Sequence, residues 1–236
     1  MRIATLNVQN LRLQSINGRN YLHGAWDSDD PEEESLDPID RCLTAELLKA
    51  LDADVVALQE VFDLETLEYF HQNYLLPAGA SPYPHLICLP GNDGRGLDVA
   101  VLSRLPVDAI QSHASLTLTE LAIDPPPNVD PDFPVFRRDC LMVTIGPLTL
   151  FVCHFKSTYP DAVTAWTTRR LEALATRRLI ERHFQDPAQN LWLITGDLNE
   201  PNTLVAGDRR AIAPLETGFS VDLMKLLPEK ERWTYF

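Results

Sequence analysis

No apolar stretch in this 236-residue chain approaches the length needed to cross a bilayer. The opening run Met1-Arg2-Ile3-Ala4-Thr5 is too short for a secretory signal and reads instead as a strand. Positive charge is scarce, with 20 Lys and Arg against 34 Asp and Glu and a net charge of −14. That balance argues against the broad basic face with which proteins attract nucleic acid. It leaves room for a nuclease that relies on a few local Arg and Lys and a bound metal, and it suits small phosphoesters. The four cysteines (Cys42, Cys88, Cys140, Cys153) include no CxxC pair, and three fall in strand-like runs. They read as buried thiols in a reducing compartment, with the cytoplasm as the expected location. No internal repeat and no linker divides the chain, so residues 1–236 are expected to form one domain with a sizeable core.

What is present alternates strand and helix early and turns strand-rich later. Asp37-Pro38 is a helix start, with Asp as cap and Pro in the first turn. Ile39, Leu43, Leu47 and Leu51 then recur at helical spacing as one face expected to be buried. Residues 55–58 follow as a strand, and Asp63 caps a second helix on which Leu64, Leu67, Phe70 and Tyr74 share a face. Strands are expected over 85–89, 97–102, 136–145 and 148–155, the last two joined by a Gly146-Pro147 turn. Residues 164–184 read as a helix with Leu171, Leu174, Ala175 and Leu179 inward and its arginines outward. Segments 218–227 and 233–236 complete the pattern. Two long loops interrupt it, 9–36 and 117–134. The first holds the acidic run 27–34, read as solvated. The second holds Asp124-Pro125-Pro126-Pro127, which cannot pair as a central strand. Loops of this length usually carry function or are disordered.

The most informative feature is Gly196-Asp197-Leu198-Asn199, which ends the apolar run 191–194. A strand stops at glycine, and an Asp and an Asn project from its carboxyl end, where open α/β sheets build their sites. Thr5-Leu6-Asn7 and Leu58-Gln59-Glu60 end two further strands in polar groups able to hold a hard cation or a phosphate. Magnesium takes oxygen ligands, commonly one or two carboxylates plus substrate phosphate, and Glu60 suits it. Phosphoryl transfer needs charge neutralisation and positioning more than covalent help. Asn7, Asn199, His154 and Arg138 offer donors without adding negative charge. Asp197 can take a proton from water, help worth roughly 10²–10⁴ in rate.

Together with Asp98-Val99-Ala100-Val101-Leu102-Ser103 and His154-Phe155-Lys156-Ser157, these segments resemble the endonuclease/exonuclease/phosphatase superfamily, in that family's order and over nearly the whole chain. The resemblance implies an α/β fold: a four-layer α/β sandwich, two mixed β-sheets packed face to face with outer helices. It implies Glu60 as main magnesium ligand, Asn7 beside metal and phosphate, Asp197 as the residue that orients or deprotonates water, and Asn199 as a phosphate contact. His154 matches a phosphate-touching histidine of the deoxyribonuclease I, sphingomyelinase, inositol phosphatase and tyrosyl-DNA phosphodiesterase side. The apurinic-endonuclease branch has tyrosine there. Phe136-Arg137-Arg138-Asp139 is similar to a phosphate-contacting stretch of deoxyribonuclease I relatives, which makes Arg138 a substrate-binding candidate. The implied cofactor is Mg2+, with Mn2+ as a substitute. The implied partner is a phosphoester substrate, nucleic acid being one candidate, and a full-length chain is expected to be a monomer.

One family feature is missing. Members finish with an Asp-His pair on a late strand, and this chain has no histidine after His183. Phe219-Ser220-Val221-Asp222 is similar to the segment whose Asp buttresses that histidine, and Arg232-Trp233-Thr234-Tyr235-Phe236 to the strand before it. Asp222 is therefore expected to be an orienting catalytic residue whose partner lies beyond Phe236. The expectation is a domain incomplete at its C-terminus, with its last strands missing, so that this chain alone hydrolyses phosphodiesters poorly and an extended form is active with magnesium. The competing reading is a natural short form that binds without turnover or borrows a strand.

The expected function is a magnesium-dependent phosphoesterase, most simply a phosphodiesterase or nuclease. The alternatives are a phosphomonoesterase on an inositol- or nucleotide-like substrate and a catalytically silent phosphate-binding protein. Individual residues have plainer readings: a strand-end turn for Asn7, an exposed acid for Glu60, a structural histidine for His154, a solvated side chain for Lys156. For Arg137, Arg169 and Arg170 the surface reading is favoured. Asp98 inside a strand is costly unless paired, so it either orients a site residue or bonds the nearby loop.

Overall fold

The computed structural model describes residues 1–23, 37–201 and 210–232. One sheet contains β1 (Ile3–Ile16), β2 (Arg19–His23), β3 (Val55–Val61), β4 (His85–Cys88) and β5 (Asp98–Ser103), in the order β2-β1-β3-β5-β4. The second contains β6 (Ala109–Gln111), β7 (Cys140–Ile145), β8 (Leu148–His154) and β9 (Leu191–Asp197), in sequence order. Each sheet is mixed: β1 runs parallel to β3, β8 runs parallel to β9, and the other pairs are antiparallel. Parallel pairs need a crossover, supplied by α1 (Asp37–Leu51) between β1 and β3 and by α4 (Ala162–His183) between β8 and β9.

Three apolar clusters give the layers. Val55, Ala57, Val99 and Val101 of the first sheet pack on Leu141, Val143, Leu150 and Val152 of the second. The outer face of the first sheet is covered by α1 and α2 (Leu64–Phe70), that of the second by α4, α3 (Leu118–Leu121) and α5 (Ala213–Glu216). This is the expected α/β sandwich of two mixed sheets with outer helices. Each fully buried Val or Leu contributes on the order of 1.5–3 kcal/mol. Cys88, Cys140 and Cys153 are buried free thiols, as expected, whereas Cys42 is exposed.

Several expectations are corrected. Residues 9–23 are not loop: β1 continues through them and turns at Asn17-Gly18, both at positive φ (52° and 75°), into β2. Asn-Gly is the strongest short-range hairpin mark in a sequence. Residues 24–36, with the acidic run, and 233–236 lie outside the described residues. Strand β7 starts at Cys140 because residues 136–138 spend their backbone groups elsewhere: Arg137 N–H on Glu172, the Arg138 carbonyl on Asn92 N–H, and the Phe136 carbonyl on the Asn92 amide. The loop 117–134 contains α3, started by a Thr117/Glu120 capping box.

The face of α1 is also different. Ile39, Leu43, Leu47 and Leu51 are 54%, 62%, 46% and 37% exposed, and Arg41, Ala45 and Leu48 face inward. Arg41 donates to the carbonyls of Val8 and Gln9, where β1 leaves regular pairing. Buried carbonyls without a donor cost more than an apolar stripe left in water, so the helix turns its arginine in. Asp63 caps α2 as expected, accepting from Thr66 N–H at 2.7 Å.

Candidate active site

The parallel neighbours β1 and β3 both break register, β1 midway between Asn7 and Leu11 and β3 near its carboxyl end between Gln59 and Val61. Bulges of this kind re-aim side chains. Glu60 sits at φ 67° and Asn10 at φ 51°, a conformation that costs about 1–3 kcal/mol in a non-glycine residue. Asn10 N–H donates to Glu60 Oε2 at 3.0 Å and holds the carboxylate. In the second sheet, Gly196 has φ 128°, and a Cβ there would lie 1.9 Å from the Cys153 carbonyl oxygen. Only glycine lets β9 approach β8 so closely, and the register places Asp197 opposite His154.

Side chains from four strands meet. Asn7 Nδ2 donates to Glu60 Oε1 at 3.2 Å and to Asp197 Oδ2 at 3.1 Å. His154 Nε2 stands 3.9 Å from each of the same two oxygens. Asp197 Oδ1 accepts from Asn199 N–H at 2.9 Å, and Asn199 Nδ2 donates to the Phe155 carbonyl at 3.0 Å. His154 is 2% exposed; burial, then the Arg138 charge, presses its pKa to about 4 against the pull of Asp197 and Asp93. It is therefore neutral at pH 7. Two carboxylates face one point with only an amide and a neutral imidazole between them. Among the described residues no three His, Cys, Asp or Glu side chains form a ready metal cage. Two facing carboxylates of this kind could hold a hard divalent cation that keeps several of its waters.

The sequence pattern of the Endonuclease/Exonuclease/phosphatase family matches residues 4–236. The chain belongs to that family. Its members are hydrolases acting on phosphoesters. No curated protein matches the chain. Among solved structures, Bacteroides thetaiotaomicron VPI-5482 mannosyl-6-phosphatase Bt3783 is similar in fold: 14% identity, 92% of this chain, 70% of that chain, TM-score 0.53. A humanized D. rerio TDP2 gives 15% identity, 95% and 68% coverage, and TM-score 0.50. An endonuclease/exonuclease/phosphatase family protein from Leptotrichia buccalis C-1013-b gives 17%, 84% and 66%, and 0.48. The chain thus spans about two thirds of the length of these structures.

In this family member Arg138 lies buried behind His154, its Nε 3.1 Å from Asp93 Oδ2 and its Nη1 3.4 Å from the Phe155 carbonyl. Asp93 in turn receives a bidentate pair from Arg95, Nε at 3.1 Å and Nη2 at 3.0 Å. Burial pushes the Asp93 carboxyl up, but the Arg95 bonds and the Arg138 charge outweigh it and hold it below its usual value. From the sequence Arg95 is only part of a Gly94-Arg95-Gly96 turn, and Asp93 has no expected role. The clue was charged residues set among the glycines of the loop 91–96. Asp98 resolves to the loop-bonding alternative: Oδ1 accepts from Gly91 N–H at 2.8 Å, and burial raises its pKa to about 6.

Lys156 Nζ donates to the Tyr159 carbonyl. Asp222 Oδ1 caps the 3₁₀ turn Leu223–Leu226 through Met224 N–H at 3.0 Å. Among the described residues, no hydrogen bond or ion pair joins it to the carboxylate pair.

The surface reading fails for Arg169, which is fully buried. Its Nη1 donates to the Lys156 carbonyl at 2.9 Å and its Nε to Glu200 Oε2 at 3.2 Å. Glu172, also fully buried, was overlooked. Its mark was the spacing Ala165, Arg169, Glu172, Thr176, Ile180, a helical stripe that carries one base and one acid inward.

Proposed function

We propose that this chain is a magnesium-dependent phosphodiester hydrolase. The observation that carries the reading is the convergence of Glu60 and Asp197 on one point beside Asn7 and the neutral His154. Glu60 would hold the magnesium, with Asn7 beside it. Magnesium, when bound, supplies charge neutralisation at the phosphate and acidifies water.

The chain's own residues supply the rest. Asp197 accepts a proton from the attacking water at Oδ2, while Asn199 N–H on Oδ1 fixes the carboxylate plane. Asn7 holds the two acids in one geometry, which lowers the cost of reaching a reactive arrangement. His154 turns Nε2 toward the site and binds a phosphate oxygen when that nitrogen carries the proton. Arg138 adds positive potential from behind.

The reading favours diesters because a diester carries one negative charge and a monoester close to two at neutral pH. Much of the local positive charge is already tied to Asp93. The net charge of −14 favours a small or single-stranded ester over long duplex DNA.

The test compares bis-p-nitrophenyl phosphate with p-nitrophenyl phosphate, in magnesium and in EDTA. Whatever diester turnover the chain supports is expected to exceed monoester turnover, to be lost in EDTA and to be restored by Mg2+ or Mn2+. Asp197→Asn is expected to lower kcat by roughly 10²–10⁴. Faster monoester turnover would make the chain a phosphomonoesterase. Phosphate binding without turnover, retained in Asp197→Ala, would make it a silent binding protein.

A further inference from the structure

Beyond the strand ends, the catalytic segments of both halves of the second sheet are held from behind by one helix. Glu172 Oε1 accepts from Arg137 N–H at 3.0 Å, and its Oε2 accepts from Lys156 N–H at 2.8 Å. Arg169, one turn earlier on α4, donates to the Lys156 carbonyl at 2.9 Å. The Lys156 residue is therefore gripped at both backbone groups, by a buried acid and a buried base.

These contacts lead to the site in short steps. Arg137 directly precedes Arg138. Lys156 directly follows Phe155, whose carbonyl takes Arg138 Nη1 at 3.4 Å and Asn199 Nδ2 at 3.0 Å. Arg169 also holds Glu200, the residue after Asn199, at 3.2 Å.

We infer that Arg169 and Glu172 are positioning residues, a clamp on α4 that fixes Arg138, His154 and Asn199 relative to one another. The alternative for these segments is unpaired backbone in the interior, because among the described residues no strand pairs with 136–138 or with 156–157, the Phe155 N–H still donating to the Asp197 carbonyl at 2.9 Å. A carboxylate is the one side chain whose two oxygens can take N–H groups from two different loops at once. A glutamine in its place keeps one acceptor and turns a donor toward the other N–H. One grip is then lost while the helix itself is unchanged.

The inference rests on the phosphodiesterase reading for its kinetic arm, so the experiment has a second arm that does not. Glu172→Gln and Arg169→Lys are compared with Leu179→Ala, a core change on the same helix. The kinetic arm measures turnover of bis-p-nitrophenyl phosphate with magnesium, and the other measures hydrogen exchange at the amides of Arg137 and Lys156. Glu172→Gln is expected to lower kcat about tenfold or more with KM changed less than about threefold. It is also expected to speed exchange at whichever of the two amides loses its acceptor. Leu179→Ala is expected to lower Tm with kcat retained.

Wild-type kcat and exchange in a folded Glu172→Gln would overturn the clamp. So would an equal kcat loss in Leu179→Ala, which would mark a purely structural effect. If Glu172→Gln does not fold, Arg169→Lys decides, because lysine lacks the fork that reaches both the Lys156 carbonyl and Glu200. If the wild type itself turns over nothing, the phosphodiesterase reading fails, and the exchange arm alone upholds or overturns the clamp.

Discussion

Asn7 reaches across 190 positions of sequence to donate through Nδ2 to Asp197 Oδ2 at 3.1 Å. The same nitrogen stands 3.2 Å from Glu60, so one amide separates two acids that otherwise repel. Asn7→Asp would place a third carboxylate at that point. It is expected to lower kcat for the diester by about 10² or more, and Asn7→Ala by about tenfold to 10². Steady-state kinetics at saturating magnesium checks both values.

Magnesium bound at the proposed site should stabilise the fold by mass action, the gain rising with the logarithm of its concentration above the dissociation constant. At 100 times its dissociation constant the gain is about 2.7 kcal/mol, read as a rise in Tm by calorimetry. Glu60→Gln and Asp197→Asn remove one acid each and are expected to abolish most of that rise. An equal rise in all three proteins would place the ion elsewhere.

Gly196→Ala is a packing prediction. Its Cβ would meet the Cys153 carbonyl at 1.9 Å and sit at φ 128°, so β8 and β9 must part. A loss of about 3 kcal/mol or more is expected in urea unfolding, with loss of turnover in the fraction that folds.

Asp98 gives a pH dependence with a definite sign. Burial lifts its carboxyl from 3.8 to about 6, helped by Asp139, Asp93 and Asp63 and opposed by the Gly91 N–H. Across that window the folded state keeps a proton that the unfolded chain releases. The associated stability is fully present below pH 3.8 and is lost as pH rises through about 6. Asp98→Asn keeps an acceptor for Gly91 and cannot ionise. Relative to wild type, it is expected to be more stable at pH 8 than at pH 4, by up to about 3 kcal/mol. Urea unfolding at the two pH values checks this.

Much of the site was legible in the sequence because Glu60, His154 and Asp197 each stand at or next to the end of a strand with a clear apolar period, and Asn7 stands where β1 breaks register. Strand ends on one side of two packed sheets have few places to go except toward each other. Asp93 and Arg95 were harder to see, because a loop carries no period and their partnership with Arg138 spans both sheets. The helix α4 was legible in extent, over 162–183 against the expected 164–184, yet not in the role of its charged residues.

The sequence by itself determined where most strands and helices run, which of them carry polar groups toward one side, and which family the motifs resemble. These properties depend on neighbours within a turn or two, where side-chain period and capping act. Only the tertiary structure decided which face of α1 turns inward and that Arg169 and Glu172 are buried. Those choices depend on backbone groups left unpaired in distant segments, at Val8, Gln9, Arg137 and Lys156. A buried N–H or C=O must find a partner wherever the fold has put one, and no local pattern records that need.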